Sequence, residues 1–157
     1  MMSTTTALLS LREKDQRGAA MTDFRFVTEG FAVSPQIAVA DVPLAAAQGF
    51  TLIINNRPDG EVPGQPTGVE IAAAAAAAGL DYASIPIVGR PTRGQADAVR
   101  EAVGAARGKV LAYCRSGTRS IFAWSVGESL SGARSREDVI SLAAQVGYDV
   151  SGMLPGH

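Results

Sequence analysis

Two uninterrupted apolar runs, FTLIIN at 50–55 and KVLAYC at 109–114, constrain the fold of this chain most. Each has strand length and neither alternates polar with apolar residues, so each predicts a strand buried on both faces. Such a strand belongs in a sheet covered by helices above and below. The segments around the two runs carry the matching signals. Thr67 and Glu70 have capping-box spacing ahead of IAAAAAAAGL, with Gly79 as the stop. A short helix is expected after Asp41 as its cap, with Gly49 as its end. Further helices are expected over 95–106, over 119–130, and from Ser135 to near Gly147. Short strands are expected at 24–27, 31–34 and 82–87. Strand and helix alternate, which predicts βαβ units: an α/β fold with a mostly parallel sheet flanked by helices.

Composition narrows the function. The 157 residues suffice for one domain with a proper core, and the formal net charge of −1 gives no electrostatic reason to expect nucleic acid or an anionic membrane as partner. One Cys and one His exclude a disulfide framework and a Cys/His zinc cluster, so no metal or other cofactor is expected. A lone free thiol suits a reducing, cytoplasmic compartment. The first 20 residues, MMSTTTALLSLREKDQRGAA, lack apolar periodicity and are expected to form a disordered extension; residues 21–157 then form a single catalytic domain. Met21 competes with Met1 as the start of translation, and His157 at the end is expected to fray.

The single cysteine, Cys114, ends the second apolar run and opens the loop CRSGTRS into a helix. In a parallel sheet, ligands sit beyond the carboxyl ends of the strands, where such loops lie. Backbone N–H groups at a helix N-terminus point inward with partial positive charge and hold an oxyanion or a thiolate. Arg115 and Arg119 add formal charge, Ser116, Thr118 and Ser120 add hydroxyls, and Gly117 lets the chain turn with no side chain in the cradle. Each of these favours a nucleophilic thiolate beneath an anion-binding bowl. An isolated cysteine at a strand end is more often a small buried hydrophobe; the flanking arginines, hydroxyls and glycine reverse that balance. Tyr113, Phe122 and Trp124 read as core residues.

YCRSGTRS resembles the active-site loop of rhodanese-type sulfurtransferases and, less closely, the signature loop of tyrosine and dual-specificity phosphatases. VSPQI, INNRPDGE, PGQP, IPI, CRSGTRS and AAQVGYD together resemble one bacterial family, the phosphatase-like domain of beta-lactamase-hydrolase-like proteins. The resemblance runs from about Phe24 to Leu154 and implies a dual-specificity-phosphatase-like fold. Members are described both as phosphatases and as sulfurtransferases, so two chemistries compete for one thiolate. Three features favour sulfur transfer through a Cys114 persulfide. The loop is Cys-x4-Arg, one residue shorter than the phosphatase Cys-x5-Arg, with Ser120 where that arginine would stand. Tyr113 replaces the phosphatase histidine. The loop after SIPI, where such phosphatases carry their general-acid Asp, has no carboxylate before Asp97.

Phosphomonoester hydrolysis through a Cys114 phosphoenzyme is the alternative. Its acid would come from Asp59, or from Glu61, in NRPDGE, a segment that also reads as a plain Asp-Gly turn. Arg57 either lines the mouth or pairs with Asp59, and Arg90 is as much a solvated charge as a substrate contact. A third reading is a non-catalytic module that binds an oxyanion or persulfide for a persulfide-metabolising, metallo-hydrolase-like partner.

Overall fold

A computed structural model describes residues 22–154; the expectations for residues 1–20, Met21 and His157 fall outside the described residues. Five strands are described: β1 (Arg25–Thr28), β2 (Phe31–Ser34), β3 (Phe50–Asn55), β4 (Asp81–Ser84) and β5 (Lys109–Tyr113). The α-helices are α1 (Asp41–Ala47), α2 (Gly68–Ala78), α3 (Arg93–Ala105), α4 (Thr118–Leu130) and α5 (Arg136–Gln145), with a 3-10 turn at Ser151–Met153. The strands form one sheet in the order β1-β2-β5-β3-β4. Only the β1–β2 pair is antiparallel. This is the mostly parallel α/β sheet that the apolar runs predict.

Residues that alternate along a strand enter two cores. Leu52, Ile54, Val110 and Ala112 pack on one face with Ile121, Trp124 and Val139 of α4 and α5. Ile53, Leu111 and Tyr113 pack on the other with Val42, Ala45, Ile71 and Ala75 of α1 and α2. Burial on both faces removes any position where a polar residue would be favoured, which is why β3 and β5 read as unbroken apolar runs. Trp124 is 4% exposed and stacks on Phe31 with ring centroids 5.4 Å apart, so Phe31 and Trp124 clamp α4 onto β2.

Local signals act largely as expected. The Thr67–Glu70 capping box starts α2, and Gly79, at φ +81°, ends it. Ser135 caps α5 by accepting from the Asp138 N–H. A second capping box, Thr92 with Gln95, starts α3 at Arg93, two residues ahead of the expected 95. Two expectations need correction. Asp41 is the first helical residue of α1 and not its cap; its carboxylate instead accepts from the Ala38 N–H at 2.7 Å, closing the preceding turn. The strand expected over 82–87 stops at Ser84, because Pro86 has no N–H to continue the ladder. Its extension still leans on β3 and the residue after it, with the Ile85 and Ile87 N–H groups donating to Asn55 O and Asn56 O, both at 2.9 Å. Among the described residues, no helix is long and apolar enough to cross a membrane.

The topology puts β5 at the centre of the sheet, between β2 and β3, with Tyr113 in register with Ser34 and Asn55. The loops leaving β2 and β3 therefore flank the loop leaving β5. Backbone bonds tie the three together: Cys114 N–H to Ser34 O at 3.4 Å, Asn56 N–H to Tyr113 O at 2.8 Å, and Gln36 N–H to Arg115 O at 3.2 Å.

Candidate active site

Cys114 leaves β5 fully buried, with its thiol unbonded to any other cysteine. Three residues later the chain reverses at Gly117, at φ +89°, and enters α4. Only glycine adopts this backbone without strain, and here it has a second use. The Gly117 N–H donates to Cys114 Sγ at 3.2 Å. Gly117 is also the N-cap of α4 and has no side-chain cap bond, so the partial positive charge of that helix end faces the sulfur's loop. Ser116 and Thr118 pair with each other, Oγ to Oγ1 at 2.8 Å, and the Thr118 N–H points to Ser116 Oγ at 3.4 Å. Arg115 is exposed at the loop's outer edge.

Arg119, at the second position of α4, reaches across to the loop that follows β3. Its guanidinium meets both oxygens of Glu61 at 2.8 Å and donates to Ile87 O at 2.8 Å. Arg57, only 5% exposed, donates to the same Glu61 carboxylate at 2.7 Å and to Gln36 Oε1 at 3.0 Å. Hydrogen bonds from Arg119 first and Arg57 second hold Glu61 down to about 2, against a smaller opposing effect of burial. The same contact raises Arg119 above its ordinary value, with burial opposing and the nearby Cys114 sulfur adding to the rise. The thiol, the Gly117 N–H and a fixed guanidinium thus converge at the mouth of one loop.

The other expected site residues lie elsewhere in the network. Asp59 Oδ1 accepts from the Gly68 N–H at 2.8 Å, at the start of α2. Ser120 is fully buried and donates to Asn56 Oδ1 at 2.8 Å, bracing α4 against the β3 loop. Arg57 pairs with Glu61 rather than Asp59, and Arg90 is tied to Gly152 O and Met153 Sδ, away from Cys114. Tyr113 is in the core at 1% exposure; burial, ahead of nearby Tyr82 and Asp59, pushes its phenol above the usual range. Gln36, Asn56 and Tyr148 join the site without having been singled out from the sequence. Tyr148 lies inside AAQVGYD, and its hydroxyl donates to Ser116 O at 2.8 Å.

Residues 23–131 match the family of the beta-lactamase hydrolase-like protein, phosphatase-like domain. The chain belongs to that family. This phosphatase-like domain is 41% identical, over 126 residues, to the beta-lactamase hydrolase-like protein of Agrobacterium fabrum, covering 79% of the chain and 29% of that protein. It therefore spans less than a third of the curated relative's length. Among solved structures, a phosphatase candidate of Neisseria meningitidis superposes with a TM-score of 0.74 at 29% identity, over 83% of this chain and 92% of that one. TpbA of P. aeruginosa, solved as a cysteine-to-serine variant in complex with phosphotyrosine, shares the fold alone: TM-score 0.55, 16% identity, 80% and 84% coverage. The dual-specificity-phosphatase-like fold implied by the sequence is thus present. The family match and the Neisseria structure fit the phosphatase alternative better than sulfur transfer, which neither of them supports.

Proposed function

We propose that this domain is a cysteine-dependent phosphomonoesterase. The observation that carries the reading is the convergence of Cys114 Sγ, the Gly117 N–H and the Arg119 guanidinium at the N-terminus of α4, in a chain of phosphatase-like kinship. The Cys114 thiolate attacks phosphorus, an S–P bond forms and the ester P–O bond breaks. Arg119 and the loop N–H groups carry the charge that develops on the phosphoryl oxygens. The leaving oxygen takes a proton from an acid. Asp59 is the proposed acid, because two arginines hold Glu61 ionised with both its oxygens hydrogen-bonded. Water then attacks the cysteinyl phosphate, giving up its proton to the Asp59 carboxylate. The S–P bond breaks, and inorganic phosphate and the thiolate are regenerated. Glu61 serves to aim Arg119.

A second reading, sulfur transfer through a Cys114 persulfide, rests on the Cys-x4-Arg spacing. A shorter loop presents fewer N–H groups to a tetrahedral phosphoryl unit. One experiment separates the two. Hydrolysis of p-nitrophenyl phosphate and phosphotyrosine is measured beside thiosulfate-to-cyanide transfer, and the mass of Cys114 is read after exposure to thiosulfate. Phosphate release dependent on Cys114, with no added sulfur, is the expected result. A gain of one sulfur atom on Cys114 with no phosphate release would replace this reading with the second.

A further inference from the structure

The hydroxyl of Tyr148 and the sulfur of Cys114 hold opposite edges of one peptide group. Tyr148 Oη donates to Ser116 O at 2.8 Å, and the N–H of the same Ser116–Gly117 peptide donates to Cys114 Sγ at 3.2 Å. The peptide is trans, so its C=O and N–H point in opposite directions. Whatever fixes one edge therefore aims the other. We propose that Tyr148 is a positioning residue for Cys114, holding the Ser116–Gly117 peptide so that its N–H faces the sulfur. The proposal rests on the reading of Cys114 as the nucleophile.

The restraint is needed at this point of the chain. Gly117 has the left-handed φ that the turn requires, and glycine is the residue that resists rotation of its flanking peptides least. No side chain caps α4 at Gly117 to hold that peptide from within the helix. A Cβ at position 117 would collide with the Tyr148 hydroxyl, so the glycine that makes the peptide free also makes room for the group that fixes it. A donor on the carbonyl also polarises the peptide and strengthens its N–H toward a thiolate.

Tyr148 is itself held in place. It follows α5, where its N–H donates to Ala143 O at 3.0 Å. The Arg25 guanidinium lies 5.0 Å from the centroid of its ring and donates to Val146 O at 3.3 Å. Asp23 accepts from Arg25 at 2.7 and 2.9 Å. Burial pushes the phenol above its ordinary value, which keeps it a donor through neutral pH. A line of contacts thus runs from Asp23 through Arg25, Tyr148 and one peptide to the sulfur.

The test uses the full chain with Tyr148→Phe, which keeps the ring under Arg25 and deletes only the hydroxyl. Alkylation of Cys114 by iodoacetamide is followed by mass against pH, beside the NMR resonance of the Gly117 amide. The expected result is a roughly tenfold slower alkylation at pH 6 and a curve displaced to higher pH, as for a weakened hydrogen bond to a charged group. In the wild type the Gly117 amide resonance should move as the thiol ionises, and in Tyr148→Phe that response should shrink. Superimposable alkylation curves would overturn the proposal, even if the variant melted at a lower temperature. Should the variant not fold, the wild-type Gly117 amide decides: a resonance indifferent to ionisation of the thiol would overturn the proposal. Alkylation needs no substrate. A wild type without phosphatase activity, paired with a displaced curve in Tyr148→Phe, would sink the proposed reaction and leave the positioning role standing.

Discussion

Loop 114–118 offers the site its backbone, whereas the 57–61 stretch offers its charges. The first runs directly from β5 into α4, and its contact to the sulfur is made by its own Gly117 N–H, with Tyr148 holding the same peptide from outside. The second leaves β3 through a run of Pro, Gly and Asp, and acts through the long side chains of Arg57 and Glu61. The two meet at one ion pair, Arg119 with Glu61. The difference implies a division of labour. A backbone cradle gives up nothing to side-chain entropy when it binds an anion, while a side-chain network can adjust its charge and its reach. Substitutions in the first loop should therefore destroy the reaction, and those that touch the arginine–carboxylate network of the second, at Arg57 and Glu61, should tune it.

Cys114→Ser is the most severe way to break that comparison. It removes one sulfur and keeps the shape of a buried, well-packed position, so thermal stability should stay near the wild type. Hydrolysis of p-nitrophenyl phosphate should fall by about 10³-fold or more, because an alcohol in this setting is a far weaker nucleophile than a thiolate. Residual activity close to the wild type would remove the nucleophile from the mechanism.

Asp59→Asn comes next, with an expected loss of about 10²–10⁴ for substrates with poor leaving groups and a smaller loss for p-nitrophenyl phosphate, which leaves unprotonated but whose phosphoenzyme still gives its water's proton to Asp59. The same rates for both leaving groups would show that Asp59 serves only to hold the start of α2 through Gly68. Arg119→Ala should cost about 10²-fold in kcat/KM, shared between weaker binding of the phosphoryl group and a slower chemical step. Its effect on Glu61 sharpens the comparison further, since it leaves that carboxylate with Arg57 as its remaining arginine partner.

The legibility of these regions in the sequence follows the same divide. The strands β3 and β5, the capping boxes and the strand–loop–helix junction at Cys114 are local patterns, and local patterns are what a sequence displays. The Arg119–Glu61 pair joins residues 58 positions apart, and Tyr148 reaches Ser116 across 32. Arg57 stands four residues from Glu61, but nothing local announces that Arg119 will share the same carboxylate. Asp59, next to a glycine, reads from the sequence either as a catalytic acid or as a turn residue, and its contact with Gly68 exists only with α2 folded against the loop. The reaction is not a local pattern at all. Counting four residues between Cys114 and Arg119 measures the length of the loop, but the loop's capacity also depends on where its N–H groups point. That orientation is set in part by Tyr148, 32 residues downstream of Ser116.

The smallest expected effect concerns Glu61, and it tests whether the charged loop only tunes. Glu61→Gln should lower kcat by about three- to tenfold, because an amide still accepts a hydrogen bond from Arg119 but no longer fixes two arginines by charge. The pH dependence gives the sharper reading. The carboxylate sits at about 2 in the folded chain against an ordinary value of 4.5. A group depressed by folding stabilises the folded state above its unfolded value, and that contribution fades as pH falls through the folded one. Thermal unfolding of the wild type should therefore lose stability between about pH 5 and pH 2 more steeply than that of Glu61→Gln. The two curves should lie furthest apart near neutrality and draw together in acid. Curves that stay parallel from pH 7 to pH 2 would mean that the ion pair adds nothing to the fold. The 57–61 loop would then be held by its backbone, as its neighbour is, and the contrast between the two loops would fail.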